Sequence, residues 1–456
     1  MSFNVIKLGQ LLATLTDYHA NGAYKALKEN VELLDTPNYA LMIRTTNFEN
    51  DDFTDSVKYI SKSAYDFLSK SKVYPTDIIM NKIANAGSVY LMPDLSRPVS
   101  LAMNLFLLRV DNNKANPIYV YIFLKINESY VKQFANGSVT KTITKDAVRN
   151  LDIVLPPRTE QDKIARFYQI ISNKINNNNK INQSLEQMAQ ALFKSWFVDF
   201  EPIKAKIAVL EAGGSPEDAT LAAMTAISGK DADALVVFER EHPEQYVELK
   251  ATAELFPSAM QDSELGEIPV GWVSEILGAV LEPKKGKNIT KKTIEEGDIP
   301  VVAGGLAPAY YHSKCNVTGP VITISASGAN AGFVNLYHCD IWASDCSYIN
   351  KTQTQFVYCF YTLLKSRQKE ITHMQQGAAQ PHVSPKDIMR LVIVAPITAL
   401  WQSLEKILTS IYEQIGVHLA QNMCLESLRD ILLPKLLSGE ITLPEAEQAV
   451  SEAENV

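Results

Sequence analysis

The side chains with the strongest claim to chemistry are His312, Cys315, His338, Cys339 and Cys346, which offer the imidazole and thiolate groups of a zinc site. Their spacing argues against one. His312 and Cys315 are acceptably placed, but adjacent His338-Cys339 followed by six residues before Cys346 fits no common structural zinc pattern, and buried free thiols are the better expectation. No Ser/His/Asp or Cys/His spacing singles out a nucleophile. The chain has no GxxxxGK[ST] loop, no GxGxxG fingerprint and no Asn-Pro-Pro-aromatic motif of amino-group methyltransferases. These absences lead us to expect no catalytic residue, no metal and no cofactor in this chain. Binding chemistry is left. Lys284, Lys285, Lys287, Lys291 and Lys292, beside Asn288 and Thr290, form the densest basic run and suit phosphate oxygens. The segment from Ser325 to Gly332, with Ser327 and Asn330, has small residues that let a backbone approach a ligand, although a tight turn is its plainer role. Side chains able to read base edges are Arg44, Asn47, Asn81 and Lys82 in the first half and Asn330, Gln380 and His382 in the second. For any single asparagine, satisfying a turn is as good an assignment.

These groups are carried on 456 residues, about three domains at the usual 100–200 residues each. With 46% hydrophobic and 21% charged residues the chain can bury sizeable cores. No run approaches the about 18 apolar residues of a membrane helix, and the opening residues lack the apolar segment of a secretory signal. Five cysteines, all in the second half, do not suggest a disulfide framework. A cytoplasmic protein without a membrane partner is expected. The net charge of −8 argues against nucleic acid until its distribution is considered. Residues 201–270 hold 14 acidic against 5 basic side chains, and residues 438–456 hold five acids and no base. Residues 1–150 (17 basic, 14 acidic) and 271–396 (12 basic, 9 acidic) are mildly positive, which permits phosphate contact.

The elements that must position these residues are duplicated. At a spacing of 240 residues Gly137 matches Gly377, Ile143 matches Val383, Thr144 matches Ser384, and Leu151–Pro156 matches Leu391–Pro396. Each copy continues into about 40 residues of helical periodicity. Ile164, Ile171, Asn178, Leu185 and Leu192 are seven apart, with Tyr168, Ile175, Asn182, Ala189 and Trp196 as the companion series. The second copy gives Leu404, Ile411, His418, Leu425 and Leu432 beside Leu408, Ile415, Asn422, Arg429 and Leu436. Both seams are polar at one heptad, so an antiparallel pair would set Asn178 against Asn422 and Asn182 against His418, and would bring Trp196 to Leu404. Such a layer fixes register at a cost in stability. Ahead of each helix lie β-rich runs (Tyr39–Arg44, Leu101–Val110, Ile118–Leu124; Val321–Ser325, Phe356–Leu363) broken by turn residues. The predicted fold is α/β (α+β): two mixed modules separated by two long helices in an antiparallel coiled coil, with a pseudo-twofold internal repeat. The boundaries are 1–157 and 263–396 for the modules, 158–200 and 397–438 for the helices, 201–262 for an acidic helical insertion facing away from nucleic acid, and 439–456 for an acidic tail.

The segments LPPRTEQDKIARFYQIISNKI at Leu155, LEQMAQALFKSWFVDFEP at Leu185, SELGEIPVGW at Ser263 and LRDILLPKLLSGEI at Leu428, together with GSVTKTITKDAVRNLDIVLP at Gly137, resemble the specificity subunit of Type I restriction-modification systems. The second helix departs from the pattern, opening PITALWQSLEKI where the first has Pro156-Pro157 and Glu160-Gln161. The resemblance implies two target-recognition domains, each reading half of a bipartite site on double-stranded DNA. It implies a non-catalytic subunit joined to two modification subunits, which use S-adenosylmethionine to methylate adenine, and to restriction subunits, which use ATP and Mg. A single-chain restriction or modification enzyme with its own activity, and a helical scaffold with no DNA role, are the competing readings.

Overall fold

The seven-residue periodicity becomes two long helices, Arg158–Phe197 and Thr398–Ser438, each about 60 Å long at 1.5 Å per residue. The structure is a computed structural model that describes residues 4–137, 140–375 and 381–454, with side chains through 451. It divides into two compact units, residues 177–420 and residues 1–176 with 421–456, so each unit holds part of both helices. Gly377 and Gln380 lie outside the described residues.

In the unit of residues 177–420, Leu185, Ala189, Leu192 and Trp196 share one apolar cluster with Leu404, Leu408, Ile411 and Ile415. The helices are antiparallel there, since Phe197 packs on Trp401 with ring centroids 5.1 Å apart while Asn182 meets His418. In the other unit Ile164, Ile171 and Ile175 share a cluster with Leu425, Leu432 and Leu436. Of the two polar pairs expected, Asn182 meets His418: His418 Nδ1 lies 2.7 Å from Asn182 Oδ1, and its Nε2 lies 2.9 Å from Gln414 Nε2. This geometry makes Nδ1–H the donor to Asn182 and leaves Nε2 to accept from the Gln414 amide. Asn178 and Asn422 are buried at their own positions.

The two modules share a topology that their sequences conceal. In the first, an antiparallel sheet runs in the order Leu12–Asp17, Leu105–Val110, Ile78–Asn81, Val89–Leu91. In the second, Lys284–Lys285, Cys346–Asn350, Val321–Ser325 and Val334–Tyr337 take the same places. A further sheet in each has one parallel pair, Ala40–Ile43 with Val99–Leu101 and Ile299–Val302 with Trp342–Ala343. Each module is closed by an antiparallel two-stranded sheet, Asn4–Lys7 with Asp152–Leu155 and Val273–Ile276 with Val392–Ala395.

Two of the runs expected as strands are helices. Pro117–Ile126 and Val357–Ser366 stand 240 residues apart and are buried on nearly every side, so their apolar positions carry no period from which a helix could be read. Local signals decide. Asn116 Oδ1 accepts the N–H groups of Ile118 (2.9 Å) and Tyr119 (3.3 Å), and Pro117 occupies the first helical position. In the second copy the carboxylate of Glu405 accepts from the Tyr358 (3.1 Å) and Cys359 (2.8 Å) N–H groups and does the same work from outside the helix.

Between the modules in sequence, Glu201–Glu211, Pro216–Ser228, Ala232–Glu241 and Pro243–Leu255 are helices. Ala223, Met224, Leu235 and Ala253 give them a small core, and the buried ammonium of Lys206 donates to Phe256 O at 2.6 Å. A hairpin, Met260–Ser263 with Gly266–Pro269, follows. The acidic C-terminal segment contains the helix Leu443–Glu454, whose Leu443, Ala446, Ala449 and Val450 pack into the first module's core.

Replacing Asn182 by Leu leaves the buried Nδ1–H of His418 without its acceptor and should destabilise the chain by about 1–3 kcal/mol in urea unfolding. Adding His418→Leu should recover most of that loss, because two apolar side chains then face each other. A double variant as unstable as the single would show that the layer is not a pair.

Candidate nucleic-acid interface

In the second module, sequence-distant residues converge on a groove of about 760 Å³ lined by Glu282, Lys284, Lys285, Ser327, Asp345, Tyr348, His382 and Lys386. Backbone pairing builds it. Lys284 and Lys285 are held as an edge strand against Tyr348 and Ser347. Ser327 is bridged to His382, Val383 N–H donates to Ala326 O (3.0 Å) and Gly328 N–H donates to Pro381 O (3.0 Å). The small-residue segment is therefore stitched to the chain that carries His382. Gly304 is required nearby, since a Cβ there would lie 2.6 Å from Ser327 O. The Ser327 hydroxyl donates to the Asp345 carboxylate. Three lysines and two carboxylates share the groove, a mixture suited to gripping phosphate while accepting hydrogen bonds from base amino groups.

Of the remaining second-module candidates, Lys287, Lys291 and Lys292 are exposed on the same loop but do not line the groove. Lys287 is fixed by its backbone, its N–H donating to Ala343 O (2.9 Å) and its carbonyl accepting from Trp342 Nε1 (2.8 Å). Asn330 sits in the turn, its carbonyl accepting from Phe333 N–H at 2.9 Å. Gln380 lies outside the described residues. Asp345, Tyr348 and Lys386 were missed because nothing in their sequence neighbourhood marks them; only the sheet brings them to the groove.

The first module corrects two expectations. Asn47 is 1% exposed, and its amide is committed to a turn: Oδ1 accepts from Arg44 N–H (3.0 Å), and Nδ2 donates to Asp52 O (2.9 Å) and Ser56 O (3.2 Å). Asn81, also 1% exposed, accepts from the Thr45 hydroxyl (3.2 Å) and donates to the Tyr90 hydroxyl (3.2 Å). Both are interior groups whose hydrogen bonds are used by the protein, so neither is available to a base edge. Arg44 is drawn into the same turn, with Nη2 donating to Ser56 O at 2.7 Å. Lys82 remains at the surface edge. It and Lys145 bind the carboxylate of Asp17 at 3.2 and 2.9 Å, and both ammonium groups lie over the Phe106 ring. Beside them Ile83 is bridged to Thr142, the position 240 residues before His382. Burial works to raise the Asp17 pKa, but hydrogen bonds and charge from Lys145 and Lys82 outweigh it and hold the carboxyl below its ordinary range.

The residues considered for zinc do not come together. His312 Nδ1 faces the backbone of Glu295, Cys346 is buried with its thiol pushed up to about 12 by desolvation, and His338 packs against the second long helix. Among the described residues no group of three or more His, Cys, Asp or Glu is placed to hold a metal ion. Among the same residues no helix is long and apolar enough to cross a membrane.

A duplicated mixed module with a lysine-bearing polar edge, repeated on paired long helices, defines a two-module binding protein. The family described as the Type I restriction modification DNA specificity domain matches residues 4–187 and 269–422, and the chain belongs to that family. It is 29% identical over 411 residues to the Type I restriction enzyme HindI specificity subunit of Haemophilus influenzae, covering 82% of this chain and 88% of that one. It is 26% identical over 354 residues to the MjaIX specificity subunit of Methanocaldococcus jannaschii, covering 72% and 69%. A crystal structure of the S subunit from the Type I system of M. genitalium matches with a TM-score of 0.49 at 16% identity, over 95% of this chain and 96% of that one.

The Asp17 cluster is open to titration. A carboxyl whose folded pKa is depressed contributes stability that is complete above its unfolded value of about 3.9 and is lost as pH falls through the lower folded value. Asp17→Asn should therefore cost about 1 kcal/mol near neutral pH, given that both lysines are partly exposed. The stability curves of variant and wild type should converge below about pH 4. A difference that stays constant down to acid pH would remove the ion pairs as its cause.

Proposed function

We propose that this chain is the DNA-reading specificity subunit of a Type I restriction-modification complex, and that its two modules each read one half of a bipartite site in double-stranded DNA. The observation that carries this is the repetition of one module topology with two different polar edges, in a chain whose family is the Type I DNA specificity domain. A shared frame with unlike edges suits a site whose halves differ. Lys284 and Lys285 in one module and Lys82 and Lys145 in the other supply phosphate contacts, which set position and not sequence. Ser327, Asp345 and His382 offer the hydroxyl, carboxylate and imidazole groups that discriminate base edges.

In this reading the subunit itself is non-catalytic and needs no cofactor. Two modification subunits bring S-adenosylmethionine and methylate adenine, and restriction subunits bring ATP and Mg. The paired helices act as the spacer between the half-sites, and the acidic helices of residues 201–255, which phosphate would repel, face away from the duplex. A catalytic single chain would methylate or cleave DNA when purified alone; we expect neither activity until the modification subunits are added.

Mapping methylated adenines in cells with and without the gene should give one interrupted motif. Exchanging residues 1–157 should alter one half only. Removing residues 177–183 together with 417–423, which lie outside both apolar clusters, shortens both helices by about 10 Å, and should shorten the gap by about three base pairs while leaving both halves intact. A motif without a gap, or a gap indifferent to helix length, would refute the two-reader arrangement. In the reconstituted methyltransferase, Lys284→Ala with Lys285→Ala should weaken binding to all sequences alike and reduce the slope of log affinity against log salt by about 1 to 2. Loss of affinity confined to the cognate site would reassign these lysines to base reading.

A further inference from the structure

The second long helix has a glycine, Gly416, in its interior. Glycine there costs about 1 kcal/mol relative to alanine, so a packing reason is to be looked for. A Cβ at 416 would lie 2.9 Å from both Cγ and Nδ1 of His338 and 3.1 Å from its Cβ. His338 directly follows the strand Val334–Tyr337 of the second module, so a side chain of the module fills a notch in the helix.

The contact continues inward as a stack. The His338 ring lies 6.5 Å from Tyr358 at an interplanar angle of 28°, and Tyr358 lies 5.3 Å from Tyr412 at 15°. Tyr412, on the long helix, is 1% exposed and its hydroxyl is 3.0 Å from Thr362 Oγ1 of the module. Two turns earlier on the same face Glu405 caps the module helix Val357–Ser366. Burial lowers the His338 pKa to about 4, so the ring is neutral around pH 7 and stacks as an uncharged plate. The positions 240 residues before Glu405, Tyr412 and Gly416 are Ala165, Ser172 and Asn176, so the first helix has no such notch in its sequence.

We infer that His338 seated in the Gly416 notch is a keyed joint that sets the angle of the second recognition module on its helix, making both positioning residues for reading the second half-site. This rests on the function proposed above. The lining residues of the groove are untouched by it; what the joint controls is where that groove points.

The test uses the full chain reconstituted with its modification subunits, and methylation of duplexes carrying the mapped site, a changed first half or a changed second half. Gly416→Ala should reduce discrimination at the second half by about tenfold or more, the scale expected of a displacement near 1 Å, and leave the first half unchanged. Adding His338→Ala to the same chain empties the space that the new methyl needs, and should restore second-half discrimination to within about threefold of wild type, a coupling that a general loss of stability would not produce. His338→Ala alone, which leaves a cavity in place of a clash, should loosen the second half only, and serves if Gly416→Ala does not fold. Equal losses at both halves, wild-type discrimination in both single variants, or failure of the double variant to recover would overturn the joint. A wild-type complex indifferent to the second half would instead overturn the two-reader function on which it stands.

Discussion

The seam between the two long helices is the constraint that the remaining structure obeys. The first helix runs through Asn176-Asn177-Asn178-Asn179, four consecutive residues that favour turns and caps over helix interiors. Local propensity would break it there. What keeps it continuous is the apolar stripe on either side, Ile164, Ile171 and Ile175 ahead and Leu185, Leu192 and Trp196 beyond, each packed against the second helix within its own unit. Asn182, three residues beyond that run, fixes the register, because a buried amide or imidazole needs a polar partner. The Asn182–His418 bond makes any slip by a heptad expensive, since a slip would set each of these groups against an apolar neighbour.

Given a fixed seam, the modules can differ at their edges without disturbing their frames. Residues that hold a frame, such as Asn47 and Asn81, are buried and hydrogen-bonded within the module, whereas Lys284, Lys285 and His382 are exposed on backbone positioned by the sheet. A change at the groove therefore costs little folding energy, while a change at Asn47 would remove the three hydrogen bonds by which a buried amide holds its turn. In the function proposed above, this separation of groove residues from framing residues lets one fold carry different contact surfaces.

The repeat, the helix seam and its polar layer were legible in the sequence because heptad spacing maps directly onto one helix face. The groove was legible only in part. The lysine run and Ser327 stand out by type, but Asp345 and Lys386 join them through strand pairing, a relation between distant residues that one sequence does not display. The asparagines misled for a related reason: the residue type that reads adenine is also the type that closes turns, and burial, which separates the two roles, is not written in the local sequence. The helices Pro117–Ile126 and Val357–Ser366 were hidden by burial of a different kind. A segment covered on all sides has no polar face, and its continuous apolar run matches a buried strand equally well; Asn116-Pro117 was the available clue.

The departure of the second helix from the opening pattern of the first has a physical explanation in these same helices. In the first copy Gln161 Oε1 accepts from Asn116 N–H at 2.9 Å while its Nε2 donates to Pro156 O at 2.8 Å, so the glutamine orients the residue that caps Pro117–Ile126. The position 240 residues later is Trp401, whose indole can donate but has no acceptor to take the place of the glutamine oxygen. Its ring lies instead 5.3 Å from Phe360 and 5.1 Å from Phe197, and the capping task moves one turn along to Glu405. A hydrogen-bonded hinge in one copy is thus replaced by an aromatic clamp in the other, and the exchange requires two coupled changes, because Trp401 without Glu405 would leave the first N–H groups of Val357–Ser366 unpaired in an apolar interior. Divergence at this motif preserves the attachment of module to helix by other means, so the broken sequence pattern does not signal a broken repeat.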